Sequence, residues 1–127
     1  DHDRNGLLLA PAFAVSAMLA EAGLGFGDFD LFEIHEAFAA QILATMKAWE
    51  SPEFCRERLG RPEPLGPIDR AKLNPKGGSI AIGHPFGATG ARVLGGAAKQ
   101  LAARGSGRAL LSVCTGGGMG VTAIIER

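Results

Sequence analysis

Apolar residues along this chain come in blocks whose spacing is helical in some stretches and strand-like in others. Pro11 to Glu21 is rich in helix formers, carries a proline in its first turn and runs into Gly23, so a helix is predicted over Pro11 to Ala22. Gly25 to Asp28 reads as a loop. Phe29 to Ile34 mixes apolar positions with the acids Asp30 and Glu33 and is a strand candidate. From Glu36 to Trp49 the period is helical again, with Phe38, Ile42, Leu43 and Met46 close to one face.

Residues 51–73 interrupt this rhythm. They are charged and hold four prolines, and a short helix is expected over Pro52 to Leu59, with Ser51 as its N-cap and Gly60 as its stop. The segment reads as a surface insert. Beyond it, Ser79 to Ile82 is expected to be a brief strand, and Ala88 to Arg104 a buried helix lined with alanine and glycine. Gly105 to Gly107 then forms a turn, and Ala109 to Cys114 has the unbroken apolar run of a central strand. Thr115 to Gly120 is a glycine turn and Val121 to Glu126 a last strand. Helices alternating with strands predict an α/β domain with helices packed on one sheet.

Composition narrows the function classes. The 127 residues are enough for one domain with a single core, and 13 basic residues balance 13 acidic ones, so no global field draws the chain to nucleic acid or to an anionic membrane. Its apolar runs are broken well short of a membrane span, and the N-terminus has no basic region ahead of an apolar one, which reads as soluble and unprocessed. Cys55 and Cys114 sit in unlike contexts and form no disulfide framework, in keeping with a reducing compartment. The opening Asp1-His2-Asp3-Arg4-Asn5-Gly6 runs almost at once into Leu7 to Ala10 without a methionine start, as expected of a piece of a longer chain.

Three reactive side chains, His35, His84 and Cys114, fall at the ends of apolar runs, where open α/β sheets bind their ligands. Gly83 and Pro85 bracket His84 and would set its backbone at a strand-to-helix junction. Cys114 precedes Thr-Gly-Gly-Gly-Met-Gly, a run in which a ligand could approach the backbone and free amide groups could hold a developing negative charge. A cysteine beside a histidine can act as nucleophile or as proton donor and acceptor; a buried, inert core cysteine is the competing reading. His35 could equally cap the helix expected from Glu36, and Cys55 reads as structural. Zinc binding by His35, His84 and Cys114 lacks short ligand spacings and a fourth ligand. Gly83 to Gly90 lacks the spacing of a phosphate loop.

Asn74-Pro-Lys-Gly-Gly-Ser-Ile-Ala-Ile-Gly-His-Pro-Phe-Gly-Ala-Thr-Gly-Ala-Arg92, together with Cys114-Thr-Gly-Gly-Gly-Met-Gly120 and His35-Glu-Ala-Phe38, resembles the C-terminal half of a thiolase over nearly the whole chain. The resemblance implies a thiolase-like fold, its C-terminal half built as a mixed sheet covered by helices. It also implies that residues 1–127 are one C-terminal domain with the insert at about 51–73. It places on His84 the histidine that activates the nucleophilic cysteine and helps form an oxyanion hole. On Cys114 it places the acid/base that protonates the enolate and takes the proton of the incoming CoA thiol, and on Gly116 an amide of a second oxyanion hole.

His35 stands where most thiolases carry the asparagine that holds a catalytic water. That exchange, with the 51–73 insert, is similar to the β subunits of fatty-acid oxidation complexes. The resemblance implies CoA-dependent cleavage of 3-ketoacyl-CoA in β-oxidation, with coenzyme A as co-substrate, no metal and no other cofactor. The nucleophilic cysteine would belong to an N-terminal half, so the fragment alone is expected to be inactive. The implied partners are acyl-CoA and CoA, that N-terminal half, further copies in a homodimer or tetramer, and the α subunit of an oxidation complex, in a bacterial cytoplasm or an organelle matrix. An acetoacetyl-CoA-forming biosynthetic thiolase and a non-catalytic acyl-CoA-binding or assembly module are the alternatives. A ketoacyl synthase would carry a second histidine where Cys114 stands.

Overall fold

The computed structural model describes residues 8–127, so the opening run Asp1 to Gly6 and the truncated start inferred from it lie outside the described residues. Strand β1 (Leu31–Ile34) pairs in parallel with β2 (Arg108–Thr115), and β2 pairs antiparallel with β3 (Met119–Glu126), which gives a mixed sheet of order β1-β2-β3. Helices cover both faces. On one lie α1 (Ala10–Ala22) and α2 (Ala39–Glu50), closing over Phe26, Phe32, Ile34 and Leu110, with Trp49 donating its indole N–H to the Ala12 carbonyl at 3.2 Å. On the other lies α5 (Thr89–Arg104), whose Val93, Ala97 and Leu101 pack on Leu31, Ala109 and Leu111. Burial on both faces explains why β1 and the centre of β2 are buried at successive residues and are apolar there except at Glu33 and Ser112.

Helix α1 matches its expected span and stops at Gly23, whose φ of 67° allows Leu24 N–H to reach back to the Leu19 carbonyl. Strand β1, the glycine turn and the last strand also fall where expected, and the loop at Gly25 contains a 3-10 turn over Phe26–Asp28. Three expectations are corrected. The helix predicted from Glu36 begins at Ala39, because His35 N–H continues the sheet ladder to the Ser112 carbonyl and the Glu36 side chain is drawn away toward Asn74. Helix α5 is buried only along the four-residue spacing of Thr89, Val93, Ala97 and Leu101; Ala91, Leu94 and Gly95 are exposed. Segment 51–73 is more than a surface insert. It carries helix α3 (Pro52–Glu57), capped by Ser51, buries Cys55 and Ile68 in the core, and bridges Leu73 to Phe32 along the edge of β1.

The expected strand at Ser79 to Ile82 is instead a helical turn, α4 (Ser79–Ile82). Four apolar residues are too few to show a period. The conformation is decided by a group 44 residues away: a Glu36 carboxylate oxygen accepts the Ile80 N–H at 3.1 Å, while Asn74 donates to the other oxygen at 2.7 Å. Gly78 leaves room for that carboxylate, since a β-carbon there would stand inside its van der Waals envelope. Gly78→Ala is therefore expected to push Glu36 off both partners and to destabilise the fold by about 1–3 kcal/mol. A chemical-denaturation midpoint equal to wild type would show that the site has slack.

Candidate active site

His35 follows directly from β1. It is buried, and its Nδ1 lies 2.9 Å from the Ser79 hydroxyl at the start of α4. His84 sits on the loop between α4 and α5. This corrects the strand-to-helix junction expected for it: Gly83, with φ 90°, ends a helical turn, and Gly87, with φ 82°, lets the chain swing into α5. The two imidazoles stack at 4.3 Å between ring centres with their planes inclined by 43°.

Thr89, the first residue of α5, holds His84 by a short contact, Nδ1 to Oγ1 at 2.6 Å. The threonine hydroxyl also reaches the Pro85 carbonyl at 3.5 Å, which can take its proton. Oγ1 is then left to accept Nδ1–H, and Nε2 of His84 keeps a free lone pair. This tautomer follows from the hydrogen-bond pattern. Such a nitrogen can accept a hydrogen bond or take a proton.

Cys114 lies at the end of β2, and Gly116 opens the Gly116 to Gly118 turn, where Gly117 and Gly118 take φ values of 92° and 77° that other residues rarely adopt. His84, Thr89, Cys114 and Gly116 line one cavity of about 510 Å³, with Phe86 and Val121 among its apolar walls. His35 stands behind His84 rather than on that wall. Burial pushes the Cys114 thiol above its ordinary pKa, against the smaller opposing effect of its own amide N–H and that of Ala37. Near neutral pH it is therefore a thiol, able to give a proton. His35 is shifted the other way, chiefly by burial, then by His84 and by Arg92, with Glu36 opposing, so it is neutral there. Cys55, the other cysteine, is buried with its thiol toward the carbonyls of Ala48 and Trp49 and lies apart from the cavity. Among the described residues no three His, Cys, Asp or Glu side chains are grouped so as to hold a metal ion.

The residues that hold these candidate groups give little signal in the sequence. Thr89 and Ser79 are ordinary hydroxyls in a glycine-rich stretch, and Arg92 gives no signal until α5 brings it to 2.9 Å from Ser79. Asn74 carried a hint, an Asn-Pro at a turn. It takes a φ of 45° and bonds the backbone of Ile34 through both ends of its amide, at 2.8 Å each, fixing the end of β1 from which His35 emerges.

Residues 1–127 match the family model described as "Thiolase, C-terminal domain". A 3-ketoacyl-CoA thiolase of Pectobacterium atrosepticum is 49% identical over 120 residues, 94% of this chain. The chain spans 28% of that relative's length. Among solved structures, the peroxisomal 3-ketoacyl-CoA thiolase of Saccharomyces cerevisiae superposes with a TM-score of 0.72 at 39% identity, over 93% of this chain and 28% of that one. It is described as five-layered and constructed from two core domains of identical topology, and in a second structure as dimeric. Human mitochondrial 3-ketoacyl-CoA thiolase in complex with CoA superposes with a TM-score of 0.75 at 37% identity, covering 94% of this chain and 26% of that one. With the whole sequence inside the family's boundaries and the mixed sheet superposing on its solved members, this chain belongs to the thiolase family, as a C-terminal domain.

Proposed function

We propose that this chain is the C-terminal catalytic half of a 3-ketoacyl-CoA thiolase, cleaving 3-ketoacyl-CoA with CoA in the degradative direction. The observation that carries this reading is the meeting of a base with a free Nε2, His84, a protonated thiol, Cys114, and the backbone amide of Gly116 on one cavity. His84 takes the proton of a nucleophilic thiol supplied by an N-terminal half, and the thiolate attacks the 3-keto carbon. The bond between C2 and C3 then breaks, the acyl group stays on the nucleophile, and Cys114 passes its proton to the departing acetyl-CoA enolate. The Cys114 thiolate next takes the proton of an incoming CoA, whose sulfur collects the acyl group and frees the nucleophile. His84 also helps form the oxyanion hole for the thioester oxygen, and the Gly116 amide is suited to a second oxyanion hole. Residues 51–73 are an insertion on this domain.

The surroundings of the cavity support completion by another part of the protein. Phe86 beside it is 89% exposed, and Ile80, Ile82, Met119 and Val121 are exposed as well, an apolar surface of the kind usually covered in the working molecule. A second core domain of the same chain fits this need, and the dimeric yeast relative supports pairing of two such chains. The α subunit of an oxidation complex is the further partner this reading assigns, and a bacterial cytoplasm or organelle matrix its compartment. Among the described residues no helix is long and apolar enough to cross a membrane. The full-length parent is expected to cleave a 3-ketoacyl-CoA in the presence of CoA, read as loss of the 3-ketoacyl-CoA absorbance, while the 127-residue chain alone is silent. A folded parent without this activity would favour a non-catalytic acyl-CoA-binding module.

A further inference from the structure

We propose that Ser79, held by Arg92, is a positioning residue that fixes the tautomer of His35 so that its imidazole presents an Nε2–H donor beside His84. The proposal rests on the thiolase reading of the site, and its grounds are the hydrogen bonds around one hydroxyl. Ser79 Oγ is buried and has two neighbours at 2.9 Å, Arg92 Nη2 and His35 Nδ1. A guanidinium has no acceptor, so Oγ must spend a lone pair on Arg92. Oγ keeps a second lone pair, but among the described residues His35 Nδ1 is the one recorded partner that can take the serine's own proton, which makes Nδ1 an acceptor and places the ring proton on Nε2.

Two further features fit. Among the described residues Arg92 Nε–H is buried without a partner, so the contact with Ser79 is the recorded hydrogen bond that places this guanidinium. The ring is also kept from gaining a second proton, first by its burial and then by His84 from the loop ahead of α5 and Arg92 from α5 itself, with Glu36 opposing. A neutral His35 that donates through Nε2 offers the kind of donor an asparagine amide offers, and it spares His84 a cationic neighbour 4.3 Å away when His84 takes up its own proton. Arg92 and Ser79 thus act on His84 and the cavity through His35, without touching the reacting atoms.

The test uses the full-length protein and two independent readouts. In the first, kcat and KM for CoA-dependent cleavage are measured for Ser79→Ala in two backgrounds, wild type and His35→Asn. The loss expected for the orienting partner of a working histidine is about 10–100-fold in kcat, with KM within about threefold. In the His35→Asn background, where no tautomer is left to set, Ser79→Ala is expected to change kcat by less than about twofold. An equal loss in both backgrounds would make Ser79 a packing residue, and no loss in either would remove its role.

The second readout is nitrogen NMR of protein labelled at histidine, with His35 assigned by the signals missing from His35→Asn. Wild type is expected to show an unprotonated Nδ1 and a protonated Nε2, and Ser79→Ala a mixture; an Nδ1–H tautomer in wild type overturns the proposal. This spectrum can be read whether or not the protein turns over. Loss of the thiolase reading, seen as a folded full-length protein without CoA-dependent cleavage, is therefore separable from failure of the Ser79 assignment.

Discussion

His84→Ala in the full-length protein is expected to lower kcat for CoA-dependent cleavage by at least about a hundredfold while KM changes little. The size follows from the role: removing a positioned general base forfeits about 10²–10⁴ in rate. Among the described residues the ring is bound through Nδ1, to Thr89 at 2.6 Å, so the nitrogen that remains is the one available to a thiol. Because His84 is itself exposed, its removal costs the core almost nothing, and a melting temperature close to wild type should accompany the loss. The deficit should appear in formation of the acyl-enzyme, read as the missing rapid first turnover, and in slower alkylation of the nucleophilic thiol that His84 would deprotonate. A variant within about tenfold of wild type would assign the base to another residue.

What could be read in the sequence, and what could not, divides along one physical line. Helix α1, strand β2 and the glycine turn after it are set by local rules: a proline start, a glycine stop, an unbroken apolar run, glycines at positive φ. The same local signals bracket His84 and Cys114, which is why both were legible before any fold was known. Helix α4 and the late start of α2 were not, because one side chain, Glu36, decides both, and it meets Asn74, Gly78 and Ile80 only once the chain has closed over about forty residues. Segment 51–73 was misjudged as surface for a related reason. Its charged residues are numerous, but Cys55 in the short helix α3 and Ile68 beyond it are the ones the core takes in. Ser79, Thr89 and Arg92 belong to the same class as Glu36: their chemistry is ordinary, and only their partners across the fold single them out.

Cys114 carries the other large effect, and its pH dependence has a definite sign. The thiol is pushed above its ordinary pKa by burial, with its own N–H and that of Ala37 pulling the other way. A group that works as an acid is lost as rising pH removes its proton, so a raised pKa moves that loss to higher pH. The alkaline limb of kcat is therefore expected above the ordinary thiol value of about 8.5. Cys114→Ala should abolish it and lower cleavage by at least about a hundredfold, since the enolate then leaves without a proton donor and the incoming CoA thiol without an acceptor. Cys114→Ser separates the two duties of the sulfur. A hydroxyl of nearly the same size keeps the packing at the end of β2, but it holds its proton too tightly to give it to the enolate, and a hydroxyl that keeps its proton is no base for the incoming CoA thiol. Serine is therefore expected to be nearly as inactive as alanine while melting like wild type. A serine variant with most of the wild-type rate, or an alkaline limb below the ordinary thiol value, would mean that the enolate takes its proton from another group and that the buried cysteine at this strand end serves the core alone.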